Sequence, residues 1–172
     1  MKKSRNVICG IAAAALLLAS RFAFADIVVP MSLVDEKGQG KPIGTITVTE
    51  QACGILLLPK LHDLPPGVHG FHLHENPSCA NKAIAAGGHF DPAMTSQHHG
   101  PYSDKGHLGD MPVLIVNADG KATLPMYAPN IKVSSLPNHA LVIHAGSDNY
   151  SDQPEKLGGG GARIACGVIG AS

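Results

Sequence analysis

The chain has 172 residues and a mass of 17.8 kDa, enough for one domain, and its 44% hydrophobic and 15% charged content excludes a disordered chain. Its formal charge is zero, yet four of the 13 basic residues (Lys2, Lys3, Arg5, Arg21) precede position 26, so the remainder sets nine basic against 13 acidic residues, a net −4. A mildly acidic domain lacks the clustered Lys and Arg that bind phosphate backbones, which argues against a nucleic-acid partner.

Lys2, Lys3 and Arg5 introduce an uncharged run from Val7 to Ala19, 13 residues long and short of the roughly 18 that a spanning helix needs. Ala23-Phe24-Ala25 then places small residues at the −3 and −1 positions of a signal-peptidase site. This predicts a signal peptide over 1–25, cleavage before Asp26 and a mature domain over 26–172. The short Ala- and Leu-rich signal points to a bacterial periplasm, with no membrane attachment after cleavage. In that oxidising compartment Cys79 and Cys166 are able to form a disulfide while Cys9 leaves with the signal. Cys53, opening the apolar run Cys53–Leu58, is expected as a buried free thiol.

Further along, short segments rich in Val, Ile, Leu and Thr alternate with Gly, Pro and Asn clusters. They predict strands near Ile27–Val34, Ile43–Thr49, Cys53–Leu58, Val68–His74, Val113–Val116, Lys121–Met126, Ala140–His144 and Ile164–Ile169. Asp35–Gly40 and Asn117–Gly120 read as hairpin-type connections. No segment after the signal carries a sustained helical period. Eight strands so punctuated imply an all-β antiparallel sandwich or flattened barrel. Glu75–Gly109 and Gly146–Gly161 break the pattern, and irregular loops of that length in a compact domain are usually functional.

The chain has ten histidines, and most sit where those loops meet strands. In His69-Gly70-Phe71-His72-Leu73-His74, residues two apart on a strand share a face, so His72 and His74 can reach one metal while Phe71 and Leu73 enter the core. His69 faces differently. Further candidates are His89 in Gly87-Gly88-His89-Phe90-Asp91-Pro92, the pair His98-His99, then His107 and Asp110 in Gly106–Asp110, and His144 at the end of a strand. Imidazole suits copper and zinc, and one carboxylate among imidazoles suits zinc. The inventory exceeds the needs of one tetrahedral ion, so two metals fit better, although spacing alone does not sort the ligands between them.

These motifs, with Gly158–Gly161 followed by Ala162-Arg163-Ile164-Ala165-Cys166-Gly167-Val168, closely resemble the copper,zinc superoxide dismutases. Pro101–Lys105 and Gly146–Asp152 look like the family's bacterial periplasmic branch, and the resemblance runs through nearly all of the mature chain. It implies Greek-key connections, one copper and one zinc per subunit, superoxide as the small-molecule substrate and room for a homodimer. It implies copper at His72, His74, His89 and His144, and zinc at His89, His98, His107 and Asp110, with His89 bridging the two. His98 is selected over its neighbour His99 by the register His-x-Gly-Pro. Asp148 would link a copper histidine to a zinc histidine, and Cys79 and Cys166 would form the family's disulfide. His69 would be a structural histidine. Arg163 and His89 would be catalytic: Arg163 as anion guide over the copper, His89 as proton carrier. Lys82, Lys105 and Lys156 are candidate steering charges, each of which also reads as an ordinary solubilising lysine. The segment between Cys79 and Gly87, Ala80–Ala86, is shorter than in periplasmic relatives. A copper/zinc buffer or delivery domain would keep the ligands without turnover, but storage needs neither Arg163 nor Asp148.

Overall fold

The computed structural model describes residues 25–170; residues 1–24 of the expected signal peptide, Cys9 among them, lie outside. Nine strands follow one another: β1 (Ile27–Asp35), β2 (Gly38–Gln51), β3 (Gly54–Leu61), β4 (Gly67–His69), β5 (Phe71–His74), β6 (Leu114–Val116), β7 (Met126–Pro129), β8 (His139–His144) and β9 (Arg163–Ile169). Seven form one sheet in the order β5-β8-β9-β1-β2-β3-β7, curled into a half-barrel, and β4 pairs with β6 apart from it. Every pairing is antiparallel, as the strand pattern predicts. The only helical pieces among the described residues are three short 3-10 turns, and none of these could cross a membrane.

Three expectations need correction. The strand read as Val68–His74 is interrupted at Gly70, whose N–H and C=O bond instead to Gly146 O and His144 N. The strand read at Lys121–Met126 pairs only from Met126 to Pro129, because Pro125 has no N–H to offer the ladder and Ala122 makes only an isolated rung with Leu61. Cys53 is exposed rather than buried, since the β2–β3 register pairs Gln51 with Gly54 and leaves Ala52 and Cys53 as the hairpin turn.

The strands that carry the site are buried on both faces. In β8, Leu141 and Ile143 point into the main core, while Ala140 and Val142 join Cys79 and Cys166 in a smaller cluster behind it. In β5, Phe71 and Leu73 occupy the main core, each contributing roughly 1.5–3 kcal/mol by burial. The two-residue period therefore turns His72 and His74 to the opposite face, and the β5–β8 register sets them beside Val142 and Ala140. A disulfide joins Cys79 to Cys166 across a sequence separation of 87 and fastens the loop after β5 to β9.

Candidate metal centre

Backbone bonds from one core residue seat the long loop on the sheet. Leu73 donates its N–H to Gly109 O and accepts from Phe90 N, both at 2.9 Å, while Gly109 N donates to Phe90 O at 2.8 Å. This clasp sets His89 and Asp110, each next to a clasped residue, against the histidine face of β5. Gly109 must lack a side chain, because a Cβ there would lie 2.7 Å from Phe90 N.

Two donor groups result, each with its ligand atoms within 4.8 Å of one another: His72, His74, His89 and His144, and His89, His98, His107 and Asp110. In the second, Asp110 Oδ1 lies 2.9 Å from His89 Nδ1, 2.9 Å from His98 Nδ1 and 3.2 Å from His107 Nδ1. A tetrahedral zinc with bonds of about 2.0 Å wants donors about 3.3 Å apart, so this spacing fits a zinc ion. The other carboxylate oxygen accepts from the backbone N–H groups of His99 and Gly100, both at 3.2 Å, which fixes its orientation. In the first group His144 Nε2 and His74 Nε2 stand 3.4 Å apart. Among the described residues three buried ring nitrogens, His72 Nδ1, His89 Nε2 and His98 Nδ1, make no hydrogen bond, His98 Nδ1 lying close to Asp110 Oδ1 without the alignment of one. Buried polar atoms are rarely left so, and three at the meeting point of two donor groups are what a pair of soft-to-borderline cations would satisfy. His89 is common to both groups.

The far side of each ring is held. His74 Nδ1 donates to Gly87 O at 3.0 Å and His144 Nδ1 to Gly161 O at 3.2 Å, leaving Nε2 free on both. Asp148 accepts from His72 Nε2 and His98 Nε2, one carboxylate oxygen each, both at 2.8 Å. These three residues also lie close enough to suggest an ion, but both carboxylate oxygens already hold an imidazole N–H, so the trio is a hydrogen-bonded bridge. Gly158 closes over it: a Cβ there would enter the Asp148 carboxylate and stand 2.9 Å from His98 Nε2.

Burial, followed by the neighbouring His89, brings His72 down to about 3, and burial lowers His144 to about 4. Burial also lowers His74 and His89, so these rings are neutral, the form that ligates. At His98 burial works against charge, yet Asp110 and Asp148 outweigh it and raise the group to about 9. Burial likewise opposes charge on Asp110, but the histidines around it hold the carboxyl well below the usual range.

Arg163, half-buried at the start of β9, donates from Nη1 to Ala83 O and from Nη2 to Gly87 O at 2.6 Å. Gly87 O thus serves both Arg163 and His74. An open pocket of about 250 Å³ is lined by Arg163, His89, His144, Lys156, Leu157 and Gly161. Of the candidate lysines, Lys156 is at this mouth, Lys82 pairs with Glu36 at 3.0 Å, and Lys105 lines no part of it. His69 stands outside the donor groups, its ring nitrogens 2.8 Å from the carbonyl oxygens of His144 and Pro65. His99 is exposed, with Nε2 2.8 Å from Gln97 Oε1. Sequence reasoning missed the Gly87 carbonyl, which no residue type announces. His139 is a hydrogen-bonded residue outside the donor groups: it donates to Glu75 O at 2.8 Å and packs on Phe90.

An antiparallel β-domain whose two irregular loops close over a pair of imidazole-rich donor groups sharing one ring is a metalloprotein built for two ions. The comparisons name the kind. Residues 42–169 match the family model for copper/zinc superoxide dismutase, and the chain belongs to that family. Superoxide dismutase 1 of the Cu-Zn type from Salmonella typhimurium (strain LT2) is 52% identical over 174 residues, covering 96% of this chain and 98% of the relative. The Escherichia coli (strain K12) Cu-Zn superoxide dismutase is 48% identical, covering 90% and 94%. The solved Cu/Zn superoxide dismutase from Brucella abortus superposes with a TM-score of 0.80 at 47% identity, covering 84% of this chain and 99% of that one. The chain is an enzyme of this class: it converts superoxide to oxygen and hydrogen peroxide, with copper and zinc as its metals.

Proposed function

We propose that His72, His74, His89 and His144 hold the copper, that His89, His98, His107 and Asp110 hold the zinc, and that Arg163 and His89 do the catalytic work of the protein side chains. The observation that carries this reading is His89, whose Nδ1 belongs to one donor group while its buried Nε2 faces the other without a partner. When bound, copper supplies a one-electron couple that takes an electron from one superoxide and returns it to a second, and zinc supplies a fixed positive charge.

The side chains supply the rest. Arg163 spends two of its five N–H bonds on carbonyls, so its remaining donors and its permanent charge serve an anion in the mouth. His89 moves the proton: with Nδ1 held on the Asp110 side, Nε2 takes up a proton and gives it to the reduced anion. Two superoxide ions and two protons then become one oxygen and one hydrogen peroxide. Asp148 keeps His72 and His98 in the tautomer that leaves Nδ1 unprotonated toward the metals.

Asp110→Ala tests the ligand assignment. It removes the only carboxylate of its donor group, so zinc content should fall well below one per chain while copper remains bound with altered geometry. Unchanged zinc in metal analysis of the purified variant removes Asp110 from the set. The same reading places the mature chain, 26–172, in the bacterial periplasm after loss of the signal. N-terminal sequencing of the exported protein should begin at Asp26, and retention of residues 1–25 would refute it. A homodimer would pack on the exposed cross-strand pair Val68 and Ile115, and sedimentation at the mass of a single chain refutes it.

A further inference from the structure

The loop from Gly146 to Gly161 sends two carboxylates to the same histidine. Asp148 takes the ring of His98 through Nε2. Asp152, four residues on, takes its backbone: Asp152 Oδ2 accepts from His98 N at 2.8 Å. Its other oxygen, Oδ1, accepts from Leu157 N at 3.1 Å. Leu157 lines the mouth beside His89, His144 and Arg163. It also sits in the left-handed region, φ 55°, where a branched side chain is disfavoured and an outside tie must hold the backbone. Among the described residues neither N–H has another hydrogen-bond partner. One half-buried carboxylate therefore spans from the zinc loop to the lip of the copper-side pocket.

We propose that Asp152 is a positioning residue that makes the shape of the mouth depend on occupancy of the zinc group. This rests on the reading that His98 is a zinc ligand. Zinc on the His98 ring fixes the His98 backbone, which anchors Asp152, which holds Leu157 in its strained conformation at the lip. Asp148 carries the coupling from zinc to the copper ligand His72; Asp152 carries a separate one from zinc to the substrate entrance. Loss of zinc should then loosen the entrance even while copper stays bound.

The test is amide hydrogen exchange on the copper-loaded protein with and without zinc, read at His98 and Leu157, alongside metal content. In the unaltered protein, removing zinc should speed exchange at both amides by about tenfold, the worth of one hydrogen bond lost. In Asp152→Ala, Leu157 should exchange fast whether or not zinc is present. Asp152→Asn preserves the shape but has one acceptor oxygen for two donors, so it should restore protection at one amide and not the other. A purely structural role would raise exchange across the loop and the strands alike, with a matching drop in the urea midpoint, and that result overturns the proposal. So does Leu157 protection that follows zinc in Asp152→Ala or in Asp152→Asn as it does in the unaltered protein. If Asp152→Ala does not fold, Asp152→Asn alone decides. Failure of the underlying ligand reading is seen separately, as zinc content that does not fall in His98→Ala.

Discussion

Arg163 is held at two points by backbone carbonyls of the loop that Cys79 anchors, so its charge has one address rather than a range of rotamers. That placement makes substitution informative. Arg163→Lys keeps the charge but loses the planar fork, and part of the activity should survive. Arg163→Ala removes both and should cost about 1–3 kcal/mol in transition-state stabilisation. Arg163→Glu should be the least active, and added salt should narrow its deficit while slowing the unaltered enzyme, because screening weakens attraction and repulsion alike. Metal content should not change in any of the three; turnover equal to wild type in all three with both metals bound would end the role assigned to Arg163. At this scale the sequence was informative wherever a side chain does the work. The two-residue spacing of His72 and His74 foretold a common face, and the separate orientation of His69 followed from its odd offset. What stayed hidden were main-chain partners: Gly87 O, which receives both His74 and Arg163, is a carbonyl like any other until the loop is folded.

The elements bear on the site through the loop between β5 and β6, which is irregular for most of its length and depends on fastenings. Its disulfide encloses a long stretch of chain, and the chain-entropy model gives about 4–5 kcal/mol for closing it, less any strain. Cys79→Ser should therefore lower the urea midpoint substantially and also release the carbonyls that hold Arg163, reducing activity more than metal content. A variant with unchanged stability and unchanged activity would contradict both halves. Strand positions were legible where apolar alternation is strong, as in β1, where buried Val29 and Met31 alternate with exposed Val28 and Pro30. They were misread where one backbone atom decides: Pro125 delays β7 and Gly70 divides β4 from β5. The apolar run after Gln51 concealed a turn, because Cys53 is hydrophobic in composition but stands at a hairpin tip in space.

For the molecule as a whole, the buried histidines tie stability to pH once the metals are stripped. His72 and His144 titrate at about 3 and about 4 when folded, against about 6.5 unfolded, so below pH 6.5 the unfolded chain binds more protons and stability falls as pH drops toward 3. His98, at about 9, binds its proton more tightly when folded; the stability it contributes is complete below about 6.5 and is lost as pH rises through 9. The chelated chain should thus be most resistant to urea near pH 6.5, and a midpoint still climbing from pH 6.5 to 9 would refute the opposing assignments. Register has a further effect at this scale. His144 and Arg163 are rung partners across β8 and β9, beside an irregularity at Ile143, so the segment from Ala145 to Ala162 leaves the sheet and returns to it at one point. The backbone-to-backbone separation of His144 from Arg163 is therefore a property of the ladder and does not depend on how long that excursion is. Residues can be added to or removed from the outer part of the excursion, beyond Asp148, Asp152 and Gly158, to retune the charge and width of the entrance, with the reacting centre left unaltered.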